Sequence, residues 1–219
     1  MKKWVYYIAL LFVCAGCDMT LLPETHITEE NVMKDLVDVE KCFMSAYQLD
    51  DAISNKIDCD RGLSDDMVPR FDYKEDAIYF YNQNAGEMYR CGWVEYMYAG
   101  FYKSIAICNE TLYQLEHCPK IDTAAWEQLK GEALALRGWL YFHLVNFFGF
   151  PYNYGDSNEN LGVPLKLDAD VTDEYFTRNT VAEVYRQIEK DLLEANRLLT
   201  IYDMERRDYF RIGDLAAKA

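Results

Sequence analysis

The chain has no apolar run long enough to cross a membrane. The N-terminal run, Trp4–Ala15, has 12 residues, against the roughly 20 that a spanning helix requires. It also lacks any basic excess: 22 Lys and Arg stand against 37 Asp and Glu, for a net charge of −15. Such a chain repels phosphate backbones and anionic lipid, which excludes nucleic acid as a partner and a basic face as a membrane contact. The three histidines, His26, His117 and His143, stand far apart and form no ligand set. Beyond residue 17 the cysteines fall at 42, 59, 91, 108 and 118. No CxxC or CxxxC spacing occurs there, which argues against a zinc site. There is no local signature of Ser-His-Asp or Cys-His catalysis. No pair of carboxylates is marked for burial across a cleft, as a glycosidase needs. The sequence therefore assigns no catalytic residue, no metal and no cofactor.

What the N-terminus does contain is directional. Lys2 and Lys3 form a positive segment, Trp4–Ala15 an apolar one, and Ala15-Gly16 the small residues a signal peptidase requires before Cys17. This layout resembles a bacterial lipoprotein signal and implies cleavage before Cys17 with acylation of its thiol and new amine. The position three residues before the Cys, usually Leu, is Cys14 here, which is apolar enough to serve. The alternative is an ordinary secretory peptide with an incidental Cys. Acyl chains would tether the protein to a membrane at about 0.8 kcal/mol per buried CH₂. Removing residues 1–16 leaves 203 residues at a net charge of −17, enough for one sizeable domain or two small ones.

Aromatic residues make up 15% of the chain, with Tyr alone at 18. Tyr tolerates half-exposed positions, because one end is apolar and the other hydrogen-bonds. The surplus fits either a Tyr-rich helical core or surfaces for ring-shaped polar ligands. Cys42, Cys91 and Cys108 fall in apolar helical runs and read as buried small hydrophobes.

Residues 17–30 read as a tether and 31–219 as a helical domain. The spacing of Val32, Leu36, Val39, Phe43, Ala46 and Tyr47 predicts a helix over 31–54. Residues 55–85 lose that period and read as a long acidic and aromatic loop, with a short strand near Ile78–Tyr81. A second helix is predicted over 87–117, on Trp93, Met97, Phe101, Ile105, Leu112 and Leu115, with Pro119 beyond it. A third, over 123–148, is apolar on most sides and stops at Gly149 with Pro151 following. A second long loop covers 149–177. A capping box, Thr180-x-x-Glu183, starts a fourth helix, which runs on through Val184, Ile188, Leu192, Ala195 and Leu198-Leu199. A fifth begins near Asp214 and is six residues long at Ala219, too short to be stable alone. The chain is therefore expected to be incomplete at its C-terminus relative to its fold.

Four stretches together resemble the SusD/RagB family of outer-membrane nutrient-uptake lipoproteins. They are Trp93…Tyr102-x-x-Ile105-x-x-x-Asn109-x-x-Leu112, the run Gly131–Gly149 (GEALALRGWLYFHLVNFFG) followed by Pro151, Gly162-Val163-Pro164-Leu165, and Arg178-Asn179-Thr180-Val181-x-Glu183-Val184-Tyr185-x-x-Ile188-x-x-Asp191-Leu192-x-x-Ala195. The resemblance spans nearly the whole mature chain but only the N-terminal portion of the family's longer protein. It implies an all-α fold of antiparallel, tetratricopeptide-like helix pairs with two long aromatic and acidic loops. It implies a lipid-anchored, surface-exposed protein of the outer membrane in a Bacteroidetes-type bacterium. The implied partners are a TonB-dependent, SusC-like transporter and an oligosaccharide or peptide captured for import, without catalysis. A helical-repeat scaffold that binds protein and no sugar is the alternative.

Residues 70–102 hold 11 aromatics. Sugars lay C–H faces on such rings while polar side chains bond their hydroxyls. Tyr73, Tyr79 and Tyr81, with Arg70, Asp72, Asn82 and Asn84, are the candidate ligand-binding residues. The alternative is that these rings pack beneath the loop. Trp93, Phe101 and Tyr102 are expected in the core, as is His143. Within the third helix, Gly131, Ala133, Ala135 and Gly138 allow close approach of a neighbouring backbone. Arg137, the one charge between Ala133 and Phe148, either pairs with a carboxylate such as Asp191 or is solvated. Asp156-x-Asn158-x-Asn160 resembles the start of a calcium loop, but its glycine comes one position late and Leu167 stands where the closing Glu belongs. A solvated turn is the expectation.

Overall fold

The computed structural model describes residues 33, 35–47, 93–117, 122–172 and 175–200. They form four α-helices: α1 (Leu36–Met44, continuing as a 3-10 turn at Ser45–Tyr47), α2 (Trp93–His117), α3 (Thr123–Phe148) and α4 (Val181–Thr200). Strand pairing among the described residues is limited to one antiparallel bridge between Leu161 and Thr180. No described helix is long and apolar enough to cross a membrane.

α3 is the axis of the domain. Asp122, in an extended conformation, caps its start by accepting from the Ala125 N–H at 3.1 Å. Gly149 closes it, donating to the Val145 carbonyl at 2.9 Å. Between these caps, every residue from Gly131 to Gly138 is buried. A helix resting on one neighbour cannot bury two consecutive turns all round, so α3 must be covered from opposite sides. α4 covers one and α2 another, while α1 lies mainly on α2.

The register shows both pairings to be antiparallel. Along α3 and α4, Gly131 faces Leu198 and Leu199, Gly138 faces Asp191 and Leu192, and Phe142 meets Tyr185. Along α2 and α3, Trp126 Nε1 donates to the Leu115 carbonyl at 2.6 Å, Arg137 reaches Asn109, and Tyr98 meets Phe148. This is the tetratricopeptide-like stacking expected from the sequence. The core combines Val39, Phe43 and Ala46 of the α1 segment with Met97, Phe101, Ile105, Cys108 and Leu115 of α2. From α3 it takes Leu136, Leu140, Tyr141 and Leu144, and from α4 Val184 and Ile188.

Several expectations need correction. The first helix begins at Leu36 rather than 31, because Asp35 (φ −142°) takes up an extended conformation and its side chain caps the Asp38 N–H at 2.9 Å. Cys42 is half-buried rather than buried, since Val39, Phe43 and Ala46 point inward and Cys42 sits beside that stripe. Cys108 is fully buried, as expected. Phe101 is in the core, while Tyr102 is only partly covered. His143 is half-buried at the edge of the core, with its ring 4.1 Å from that of Trp139. The readings that fall on 48–92, including the loop, the strand near Ile78–Tyr81 and Cys91, lie outside the described residues, as do the tether and the fifth helix.

Candidate functional site

Cys17 and the candidate ligand-binding residues Arg70, Asp72, Tyr73, Tyr79, Tyr81, Asn82 and Asn84 lie outside the described residues. The described residues form a helical frame with hollows on its surface.

The frame is organised by a buried polar seam. The Arg137 guanidinium donates to Asp191 through Nε and Nη2, both at 2.8 Å, and through Nη1 to the Asn109 Oδ1 at 2.9 Å. Gln187 adds a bond to Asp191 Oδ1 at 2.8 Å. Asn109 turns its amide outward, donating to the carbonyls of Lys166 at 2.9 Å and Asp168 at 3.2 Å. The Tyr141 hydroxyl donates to the Lys166 carbonyl at 2.7 Å and accepts from the Lys166 N–H at 2.9 Å. Tyr102 donates to the Pro164 carbonyl at 2.7 Å. Thus α2 and α3 together grip the main chain of residues 164–168.

Burial favours a neutral Arg137, but the hydrogen bond and charge of Asp191 outweigh it and raise its pKa. Burial pushes the Cys108 thiol beside it up to about 12. Burial likewise holds the hydroxyls of Tyr102 and Tyr141 in their protonated form. Arg137, Asp191, Asn109 and Tyr141 are buried and bonded to one another or to the main chain, so the seam is structural.

The chain entering α4 completes the frame. Arg178 donates to the Phe148 carbonyl at 2.8 Å, capping the C-terminal end of α3, and to the Gly162 carbonyl at 2.6 Å. Asn179 exchanges main-chain bonds with Gly162 and Val163, and its side chain accepts from the Leu165 N–H at 2.9 Å. Thr180 and Glu183 form the expected capping box, with bonds of 2.9 and 3.2 Å. The connection between α3 and α4, expected as a long loop, is thereby tied down along residues 161–168.

The first hollow lies between α3, α4 and the 149–160 connection, with a volume of about 540 Å³. Phe142, Tyr152 and Tyr185 line it together with Asn158, Arg186 and Glu189. The Tyr185 ring lies 4.8 Å from Tyr152 at 61° and 6.3 Å from Phe142 at 84°. Its hydroxyl donates to Asn146 Oδ1 at 3.1 Å. In the same connection, Phe150 and Tyr154 stack nearly parallel at 5.7 Å. The second hollow, about 440 Å³, lies between α2, α3 and residues 167–170 and includes Tyr113, Trp126 and Lys130. Lys130 Nζ sits 5.0 Å above the Trp126 ring.

Asp156-x-Asn158-x-Asn160 folds as a self-bonded, mostly exposed turn. Asp156 Oδ1 accepts from the Asn158 N–H at 2.8 Å and from its amide at 2.9 Å, which holds this carboxyl below the usual carboxylate range. Asn160 donates to the Tyr154 carbonyl. Among the described residues no group of three or more His, Cys, Asp or Glu could hold a metal ion.

The ring trio of the first hollow escapes a linear reading. Phe142 and Tyr185 meet only through the α3–α4 register. The one local signal is the run Phe150-Pro151-Tyr152-Asn153-Tyr154, aromatic and polar by turns.

None of the curated proteins is significantly similar in sequence to the chain. Solved structures are similar in fold. A SusD-like carbohydrate-binding protein of Bacteroides vulgatus matches with a TM-score of 0.71 at 21% identity, over 84% of this chain and 40% of its own. A SusD superfamily protein of Bacteroides thetaiotaomicron matches at 0.61 and 23%, over 84% and 40%. A laminarin-binding SusD-like protein matches at 0.56 and 21%, over 85% and 39%. The chain thus spans about 40% of the length of these structures. A SusD-like family model, described as starch-binding and associating with the outer membrane, matches residues 24–219. The polar seam and its ties join the four sequence stretches in one frame, and the chain belongs to the SusD-like family.

Proposed function

We propose that this chain is a non-catalytic, cell-surface lipoprotein that binds oligosaccharides of the starch type and assists their import through a TonB-dependent, SusC-like transporter. Its anchor is the acylated Cys17, and 17–30 is the tether from which the helical domain, 31–219, is held at the outer membrane. The observation that carries this reading is the SusD-like match over residues 24–219. The lipoprotein-type signal ending at Cys17 and the acidic surface fit it. The loop residues Arg70, Asp72, Tyr73, Tyr79, Tyr81, Asn82 and Asn84 form its primary sugar contacts, with rings for C–H faces and polar groups for hydroxyls.

Isothermal titration against a panel of neutral oligosaccharides tests the reading. Binding that is weakened in Tyr73→Ala, Tyr79→Ala or Tyr81→Ala supports it. Retained capture of a transporter with no binding to any glycan would leave the protein-binding scaffold instead. Hydrolysis of a panel member would show an enzyme. Palmitate labelling that disappears in Cys17→Ser tests the anchor.

A further inference from the structure

We propose that the hollow bounded by Phe142, Tyr152 and Tyr185 is a second contact surface for a neutral oligosaccharide, built from residues other than Tyr73, Tyr79 and Tyr81. The inference rests on the carbohydrate reading above and adds a location to it.

Three observations carry it. The first is exposure. Phe142 and Tyr152 are 43% and 48% exposed on an otherwise strongly acidic protein, and Tyr185 is half-buried between them. Grouped rings facing water mark an interaction site far more than scattered ones do.

The second is shape. Tyr185 stands at steep angles to both neighbours, so the rings line an open, shallow trough with faces turned in different directions. Its hydroxyl is tethered to Asn146, which fixes the ring in place before any ligand arrives. The trough, about 540 Å³, falls within the range of small-molecule clefts, roughly 300–1,000 Å³.

The third is the polar rim. Arg186 uses only its Nε, on the Ala182 carbonyl, which leaves its terminal nitrogens as donors. Glu189 makes no hydrogen bond among the described residues and lines the same trough as an acceptor. Among the described residues no ion pair joins the two, while the charge of Arg186 also acts on Glu183. Asn158 adds an amide. Each sugar hydroxyl both donates and accepts, so a rim of mixed donors and acceptors around aromatic walls matches it. The net charge of −15 selects against sulfated or uronic chains and for neutral ones.

The test uses the full chain, lipid included, in a detergent without a sugar head group. Maltoheptaose and laminariheptaose are the probes, read by isothermal titration. Tyr152→Ala, which removes an exposed ring and leaves the core alone, is expected to weaken binding on the order of tenfold or to lower the stoichiometry. Tyr152→Phe, which keeps the ring, should bind within about twofold of the unaltered chain. In the Tyr73→Ala/Tyr79→Ala/Tyr81→Ala variant, residual binding should persist and vanish when Tyr152→Ala is added. A Tyr152→Trp variant should change its fluorescence on adding the probe.

Binding unchanged by Tyr152→Ala, and abolished by the loop substitutions alone, overturns this inference and leaves the general reading standing. Unchanged sugar affinity with loss of self-association or transporter capture in Tyr152→Ala assigns the trough to a protein and also overturns it. Absence of any binding by the unaltered chain overturns both.

Discussion

Arg137 of α3 and Asp191 of α4 meet as a two-point ion pair, with both N···O distances 2.8 Å and both side chains under one-tenth exposed. Desolvating two charges is expensive, and a pair survives inside a protein only when the remaining donors and acceptors are also met. Here Asn109 and Gln187 meet them. Arg137→Met leaves the Asp191 carboxylate buried without its partner and is expected to cost about 3–5 kcal/mol. Arg137→Met/Asp191→Leu should recover most of that loss, because the uncompensated charge is gone. It should not recover all, because Asn109 Oδ1 is left without its donor. Urea unfolding of the three proteins checks this. A single substitution within 1 kcal/mol of the unaltered chain would remove the seam from the stability argument.

That pair also shows what the sequence could and could not disclose. The charge of Arg137, alone between Ala133 and Phe148, demanded a partner or water, and both remained open from the sequence. Asn109 and Tyr141 gave no such signal, because their bonds go to the main chain of Lys166 and Asp168, which any residue could supply. The end of α3 was legible, since Gly149-x-Pro151 closes it, and so was the start of α4, through the Thr180–Glu183 box. The start of α1 was not legible, because the apolar period runs on through Val32 while the local bond of Asp35 ends the helix. The trough was hidden for a different reason: Phe142 and Tyr185 are neighbours only after α3 and α4 pair.

The two glycines on the α4-facing side of α3 differ in how much room they have. A Cβ at Gly131 would stand 2.9 Å from Leu199 Cγ and 3.1 Å from Leu198 Cβ, both in side chains almost fully buried. A Cβ at Gly138 would stand 3.0 Å from the end of Leu192, which is only half-buried and can swing aside. Replacing Gly by Ala inside a helix gains about 1 kcal/mol of propensity, while overpacking a filled core costs about 1–3 kcal/mol. Gly131→Ala is therefore expected to destabilise and Gly138→Ala to be near neutral. Thermal unfolding of the two variants distinguishes them, and the reverse order would refute the packing argument.

The capping box makes a pH prediction. The Thr180 N–H, the Asn179 amide and the Thr180 hydroxyl hold the Glu183 carboxyl below its ordinary 4.5. A folded pKa below the unfolded one contributes stability that is present above the unfolded value and lost as pH falls through the folded one. The stability conferred by Glu183 should thus be intact at neutral pH and disappear below about 4.5. Glu183→Gln, which cannot titrate, should show a shallower acid limb in the urea midpoint between pH 6 and pH 3. Parallel limbs for the two proteins would contradict the assignment.

Cys108 and Cys42 should differ in reactivity. Cys108 is fully buried, and that burial drives its thiol up to about 12, so thiolate is scarce and reagents have no path to it. Cys42 is also raised, first by burial and then by Glu110, but it is half-buried within reach of the surface. Iodoacetamide at pH 8, followed by peptide mapping, should label Cys42 slowly and Cys108 only once the chain unfolds. Equal labelling of both in the native protein would show that α2 opens far more readily than its packing allows.

Residues 164–168 owe their position to side chains of α2 and α3 and to Asn179 rather than to any secondary structure of their own. Tyr141 contributes two of those bonds and Tyr102 a third. Tyr141→Phe deletes one oxygen yet leaves both the Lys166 N–H and carbonyl without it. The cost is expected at about 1–2 kcal/mol, because Lys166 is half-buried and water can partly replace the loss. The effect should be local. Tyr141→Phe/Tyr102→Phe should speed amide hydrogen exchange at Leu165 and Lys166 by an order of magnitude or more, while the α3 amides keep their protection. Uniform acceleration across α3 would mean that these hydroxyls support the whole bundle. Unchanged exchange at Lys166 would mean that Asn109 and Asn179 hold the segment without them.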